Sequence, residues 1–237
     1  MAFEKTVDVT SFDVMPDSTI KPSALFRYYQ EIAGGHLDSL GLDFNTMREK
    51  KCVFVITRMK TIFYSRIKRY DKVDIKTSSR GIKGAVFTRD YKVLGGSEML
   101  AEASTQWALI DLETRRICRP SVYADYFAVS EALCSFSDIR KIIFDSEFDS
   151  EYRYKVVFGD IDENLHMNNT RYTDICLDAI GGTGNGFIGE ISIDFLAEAR
   201  LGDELVIRYK NEDGKYLFSA ENLTNGKHCF NAEIKIR

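Results

Sequence analysis

Tyr152-Arg153-Tyr154-Lys155-Val156-Val157-Phe158 and, fourteen positions past its end, Tyr172-Thr173-Asp174-Ile175-Cys176-Leu177-Asp178-Ala179 decide the fold between them. In the first segment Tyr152, Tyr154, Val156 and Phe158 alternate with Arg153, Lys155 and Val157, the period of a half-buried strand. In the second, Tyr172, Ile175, Cys176 and Ala179 recur at helical spacing, so a short helix presents one apolar face. Asn168 or Asn169 is placed to cap that helix. Gly181, Gly182, Gly184 and Gly186 end it. Beyond them, Leu205, Ile207 and Tyr209 alternate with polar neighbours, then Tyr216, Phe218 and Ala220, then Phe230, Ala232, Ile234 and Ile236. Asp213-Gly214 and Asn225-Gly226 mark hairpin turns between these runs. The order is strand, helix, antiparallel meander.

Working outward, the first half repeats that order. A strand-like stretch covers about 5–14. Leu25, Tyr29, Ile32, Ala33, His36, Leu37 and Leu40 then form a longer helical stripe, which Gly41 stops. Strand patterns follow near 54–64, 73–78, 85–93 and 100–110, with Gly95-Gly96 as a turn. The halves can be superposed in sequence. Asp17-Ser18-Thr19-Ile20-Lys21-Pro22 falls on Asp162-Glu163-Asn164-Leu165-His166-Met167, and Tyr70–Ile75 falls on Gly202–Ile207. A duplicated unit of this order buries its helix stripe by curling the meander around it. Two such units can join edge to edge, protecting strand edges. The expected fold is α+β, a tandem (double) hotdog with two antiparallel sheets, each wrapped around a central helix. The expected organisation is residues 1–120 as one unit, 121–148 as a connector and 149–237 as the second.

Composition narrows the function. The net charge is −4, and no basic arm or helix-turn-helix is visible, so a nucleic-acid partner is not expected. No run approaches the roughly twenty apolar residues of a membrane helix, and the N-terminus lacks a signal peptide's pattern, so no membrane association and a cytoplasmic location are expected. The five cysteines are scattered without a CxxC pair, which fits free thiols buried as small apolar residues.

Chemistry concentrates in Gly159-Asp160-Ile161-Asp162-Glu163-Asn164-Leu165-His166-Met167-Asn168-Asn169-Thr170-Arg171-Tyr172. Singly, each polar residue there is an ordinary turn or cap residue. Together they place a carboxylate, an amide and an imidazole within five residues, at a strand-to-helix junction whose first N–H groups are unpaired and able to hold an oxyanion.

This segment resembles the D-x-N-x-H-x-N-N-x-x-Y motif of acyl-ACP thioesterases. Ser104-Thr105-Gln106-Trp107 and Thr114-Arg115-Arg116 resemble that family's S-x-x-W and T-R-R segments. The resemblance implies the double hotdog fold, and a thioester hydrolase that releases free fatty acid from acyl carrier protein and terminates fatty-acid synthesis. It implies no cofactor and no metal, and it leaves a homodimer open. It implies Asp162, Asn164 and His166 as catalytic, with Glu198 of Phe195-Leu196-Ala197-Glu198-Ala199-Arg200 as the family's glutamate. On spacing alone Glu198 reads as a solvated strand residue. Where plant members carry a cysteine, this chain has Ala199, so a nucleophilic thiol at that position is excluded.

With the halves superposed as above, Lys21 stands at the His166 position, Thr19 at the Asn164 position, Asp17 at the Asp162 position and Arg66 at the Glu198 position. One active site is therefore expected per chain, in the second half, leaving the first half to shape the acyl pocket. Two other readings stand beside this one. One is an acyl-CoA thioesterase of the hotdog superfamily, whose members are mostly single units. The other is a non-catalytic acyl-binding protein, which would have no need of the four polar groups together.

Overall fold

The computed structural model describes residues 2–127, 133–136, 139–144 and 147–237, with the backbone alone at 121 and 122. The chain divides into two compact units, Met1–Ile20 with Ala24–Ile139, and Lys21–Ser23 with Arg140–Arg237. Much of the expected connector thus falls to the first unit, and part of it lies outside the described residues.

In the first unit, β1 (Phe3–Asp8) leads to α1 (Pro22–Ser39) and a short α2 (Phe44–Glu49), then to β2 (Cys52–Phe63), β3 (Lys72–Lys83), β4 (Val86–Gly95) and β5 (Glu98–Asp111). The strands pair antiparallel in the order β1-β3-β4-β5-β2. In the second unit, β6 (Ser150–Lys155) leads to α3 (Arg171–Ala179), then to β7 (Ile188–Phe195), β8 (Glu204–Glu212), β9 (Lys215–Asn222) and β10 (Lys227–Ile236). Their order, β6-β8-β9-β10-β7, is the same topology.

Each sheet packs on its own helix. Tyr29 of α1 stacks on Tyr91 of β4 with ring centroids 4.5 Å apart, and Tyr172 of α3 meets Phe230 of β10 at 4.9 Å. All four rings are buried, and fully burying an apolar side chain contributes roughly 1.5–3 kcal/mol. Pro22 opens α1, where its missing N–H costs nothing. Both helices stop in the same way. Gly41 (φ 73°) and Gly181 (φ 73°) adopt the left-handed conformation. Leu42 N–H then reaches Leu37 C=O at 3.0 Å, and Gly182 N–H reaches Leu177 C=O at 2.8 Å, closing Schellman motifs.

The duplication is visible bond by bond, and it corrects the register read from sequence. Met15 N–H donates to Thr19 C=O at 2.7 Å, and Asp162 N–H to His166 C=O at 2.9 Å. Ile20 N–H meets Ile67 C=O at 2.8 Å, as Met167 N–H meets Ala199 C=O at 2.8 Å. The bridges Val14–Ile20 and Ile161–Met167 coincide. Ser18 (φ 64°) coincides with Leu165 (φ 63°). The loop therefore sets Met15 on Asp162, Asp17 on Asn164 and Thr19 on His166, two residues from the alignment of like-looking aspartates. Arg66 does fall on Glu198.

Three local expectations are also revised. The first strand of the second unit stops at Lys155, and Phe158 lies in a 3-10 turn, 82% exposed. Thr170, not Asn168 or Asn169, is the N-cap residue of α3. Asn168 instead uses its Oδ1 to hold the Thr170 N–H (3.0 Å) and hydroxyl (2.8 Å). Of the free cysteines only Cys176 and Cys229 are buried; Cys52, Cys118 and Cys134 are partly exposed.

Candidate active site

The hairpin Asp162–His166 is built by short-range hydrogen bonds. Asp162 N–H reaches His166 C=O, and Leu165 N–H returns to Asp162 C=O at 3.0 Å. Leu165 pays a positive φ for this turn, a conformation unfavourable for a branched side chain. Ser18 does the same in the other unit, so the strain belongs to the fold and not to the chemistry. The Asp162 carboxylate accepts the Asn164 backbone N–H at 2.9 Å and fixes the amide's position. Asn164 itself is exposed, and its side chain makes no hydrogen bond among the described residues.

Asp160, two residues before the hairpin, ties the segment that leads into it to the start of α3. Its carboxylate is 1% exposed and accepts from the Tyr154 hydroxyl (2.8 Å), the Val157 N–H (2.9 Å) and Arg171 Nε (3.0 Å). Sequence reading passed over this residue; its counterpart Asp13, which takes the Thr10 N–H at 2.9 Å, was the available signal.

Glu198 lies not on a strand but in the loop directly after β7. That loop is held on both sides. Leu196 and Ala197 donate their N–H groups to Cys229 C=O at 2.8 and 3.1 Å, and Arg200 N–H donates to the Asp203 carboxylate at 2.9 Å. Asp203 is itself fixed by Asn222 Nδ2 at 2.6 Å. Between the two loops, Met167 N–H donates to Ala199 C=O, so the neighbours of His166 and Glu198 are bonded to each other.

The consequence is a direct contact, His166 Nε2 to Glu198 Oε2 at 2.9 Å, with the imidazole 20% and the carboxylate 46% exposed. An open cleft of about 500 Å³ is lined by Glu198 with Leu196, Arg200, Asp203 and Lys227. Of the four residues expected in the site, the structure brings His166 and Glu198 into contact, ties Asp162 to Asn164 through the backbone, and leaves the Asn164 side chain exposed. The corresponding place in the first unit holds the opposite chemistry: Arg66 pairs with Asp17 at 3.1 Å, and no imidazole is present.

Thiol chemistry is disfavoured in this unit. Burial raises Cys176 well above its ordinary value, and burial, with the Asp203 charge adding to it, pushes Cys229 up to about 11. Among the described residues no group of three His, Cys, Asp or Glu side chains is arranged to hold a metal, and no helix is long and apolar enough to cross a membrane.

Comparison with known proteins gives the family. Residues 1–129 match the model of the acyl-ACP thioesterase N-terminal domain, and residues 145–237 that of the C-terminal domain. Among curated relatives, oleoyl-acyl carrier protein thioesterase 2 of Arabidopsis thaliana is 26% identical over 76% of this chain and 54% of its own length. The palmitoyl-acyl carrier protein thioesterase of the same plant is 25% identical over 73% and 45%. The chain thus spans about half the length of the curated relatives it matches. Among solved structures, an acyl-ACP thioesterase from Bacteroides thetaiotaomicron superposes with a TM-score of 0.89 at 19% identity, covering 100% of this chain and 98% of that one. The 12:0-ACP thioesterase from Umbellularia californica gives 0.85 at 18% identity, covering 100% and 97%. Those two likenesses establish the double hotdog fold. The two domain models, matched in order along the chain, place it in the acyl-ACP thioesterase family.

Proposed function

We propose that this protein hydrolyses the thioester of a fatty acyl chain carried on acyl carrier protein, releasing the free fatty acid and ending its synthesis. The observation that carries the reading is the 2.9 Å contact of His166 Nε2 with Glu198 Oε2, held between two hydrogen-bonded loops at the edge of an open cleft. The family relationship supplies the substrate class.

The chemistry follows from what each group can do. A thioester carbonyl is electrophilic enough for an activated water. Glu198 accepts the imidazole N–H on one oxygen and keeps the other exposed for a water, whose proton it takes as the oxygen attacks the carbonyl carbon. Such general-base help is worth roughly 10²–10⁴-fold. The side-chain N–H of Asn164, unpaired among the described residues, donates to the oxyanion, a role worth roughly 10²–10³-fold. Asp162 acts only by holding Asn164. When the tetrahedral adduct collapses, the carbon–sulfur bond breaks and the proton on the Glu198–His166 pair passes to the departing thiolate. Water and thioester thus become carboxylic acid and thiol. The first unit, with Thr19 and Arg66 in place of the pair, takes no part in this step.

Incubation of the purified protein with acyl-acyl carrier protein tests the reading. Free acid and free thiol should appear in equal amounts, and Asn164→Ala should slow both by roughly 10²–10³-fold. Absence of thiol release from the unaltered protein would overturn it.

A further inference from the structure

Two of the five thiols meet within the first unit. Cys52 opens β2, Cys118 lies just beyond β5, and their sulfurs are 3.5 Å apart. Both residues are partly exposed, so a small oxidant can reach them. The other thiols are placed differently. Cys176 and Cys229 are buried, and Cys134 Sγ donates to Ala103 C=O at 2.9 Å.

The two sulfurs are brought together around the end of β5. Cys52 stands opposite Asp111 in the β2–β5 ladder. The chain then turns and runs back along β5. Asp111 N–H donates to Arg116 C=O at 2.9 Å, Cys118 N–H donates to Leu109 C=O at 2.8 Å, and Ile110 bridges to Ile117. Cys52 and Cys118 thus flank one strand end, 66 positions apart in sequence. The 3-10 segment Pro120–Phe127 follows, and its Tyr123 and Phe127 are buried with Leu42, Met47, Phe87 and Leu109. Both cysteines pack against that cluster.

The surroundings give the two sulfurs different roles. Burial first, and then the hydrogen bond with Cys52, push Cys118 up to about 11, so it stays a thiol near neutral pH. A thiolate and not a thiol attacks, so Cys52 is the nucleophile of the pair. The Tyr123 hydroxyl is within hydrogen-bonding reach of Cys52, and the Lys50 ammonium lies over the Tyr123 ring at 5.6 Å. The Asp111 carboxylate is turned into its own loop, where it accepts the Glu113 and Thr114 N–H groups at 3.0 and 2.7 Å.

We propose that Cys52 and Cys118 are a reversible dithiol–disulfide site, oxidised by hydrogen peroxide, that staples the chain beyond β5 to the start of β2. The Cys52 thiolate attacks one peroxide oxygen. The O–O bond breaks, Cys52 becomes a sulfenic acid, and the departing hydroxide takes up a proton as water. The Cys118 sulfur then attacks the Cys52 sulfur. An S–S bond forms, the S–O bond breaks, and the hydroxide leaves with the Cys118 proton as a second water. Two thiols and one peroxide become one disulfide and two waters. A disulfide is about 2 Å long, so the sulfurs close by roughly 1.5 Å. Cys118, outside the named strands, is on the side that gives. The site is independent of the catalytic reading.

The test treats the folded, reduced protein with a small excess of hydrogen peroxide, blocks the remaining thiols after denaturation, and maps a non-reducing digest by mass spectrometry. Cys52 and Cys118 should be joined within one chain, and dithiothreitol should restore both thiols. Cys134, Cys176 and Cys229 should carry the blocking group. Because the closed loop is long, the oxidised protein should melt roughly 10 °C above the reduced one, and the gap should vanish in Cys52→Ser and in Cys118→Ser. Unreacted thiols, over-oxidation of Cys52 without a cross-link, a link to another cysteine or another chain, or an oxidised protein that melts no higher would each overturn the proposal. If a serine variant does not fold, the map and the melting temperatures of the unaltered protein decide.

Discussion

Replacing Glu198 by Gln separates chemistry from architecture at this site. The amide keeps the size of the side chain and an oxygen that can still accept from His166 Nε2, so the 2.9 Å contact need not break. What is lost is the negative charge that takes a proton from water. If Glu198 is the base, the loss is roughly 10²–10⁴-fold in kcat, about 3–5 kcal/mol of barrier. The folded state should scarcely notice. Glu198 is 46% exposed, and ion pairs that open to water contribute about 0–1 kcal/mol. Single-turnover hydrolysis of acyl-acyl carrier protein reads the chemical step directly, and thermal unfolding reads the architecture. The expected result is a collapsed rate with a melting temperature within a few degrees of the parent's. A single-turnover rate close to the parent's would remove Glu198 as the base. A rate lost together with the fold would show that the carboxylate holds the loop rather than the proton.

Three further outcomes follow from other parts of the structure. His36, 6% exposed, titrates near 4 in the folded state against an ordinary 6.5, so the unfolded chain binds more protons between those values. Its stabilising contribution is complete above about pH 6.5 and lost as pH falls towards 4, about 3 kcal/mol in all. Urea unfolding of the parent and of His36→Gln should show that extra acid loss in the parent alone; parallel pH profiles would refute it. A variant with all five cysteines replaced by Ser or Ala should keep its turnover if it folds, because burial holds Cys176 and Cys229 as thiols; a folded but inactive variant would revive a covalent thiol mechanism. Two basic stretches could meet an acidic carrier protein: in Arg66, Lys68, Arg69 and Lys72, Arg66 is paired with Asp17 and Lys72 lies 3.8 Å from Asp8, whereas in the other, Arg115, Arg116 and Arg119 are exposed without a carboxylate partner among the described residues. Changing Arg115 and Arg116 to Glu should raise KM for acyl-acyl carrier protein, most at low salt, and leave a small acyl thioester unaffected; equal loss on both substrates would refute docking at this cluster.

Much of the fold can be read from periodicity because each sheet buries one face against its helix. Tyr216, Phe218 and Ala220 alternate as β9 requires, and Gly41 ends α1 because only a residue tolerant of positive φ fits its Schellman turn. The duplication was legible in element order but not in register. Asp17 and Asp162 look alike in sequence, yet the hydrogen bonds place Asp17 on Asn164, since the loop conserves geometry and not residue type. The buried acids were hidden for a different reason. Asp90 is fully buried, and its carboxylate takes the Leu133 and Cys134 N–H groups at 3.2 and 3.3 Å; Glu102 takes the Ser135 N–H at 2.8 Å, and Asp194 the Ile142 N–H at 2.9 Å. On a strand pattern these acids read as solvent-facing, because the segments that cover them come from distant parts of the chain. In the site, His166 and Asn164 were legible as a local cluster. The partnership of His166 with Glu198, and the roles of Asp160 and Asp203 beneath it, depend on contacts between loops that no spacing encodes.

The central claim is thioester hydrolysis on acyl carrier protein by the His166–Glu198 pair. Its most direct test is kcat/KM on the same acyl chain carried by acyl carrier protein and by coenzyme A, measured for the parent and for His166→Ala. The account predicts faster release of free fatty acid from acyl carrier protein, and loss of hydrolysis of both substrates in His166→Ala with acyl binding retained. Equal or better hydrolysis of acyl-CoA by the parent, or undiminished turnover without His166, would contradict it.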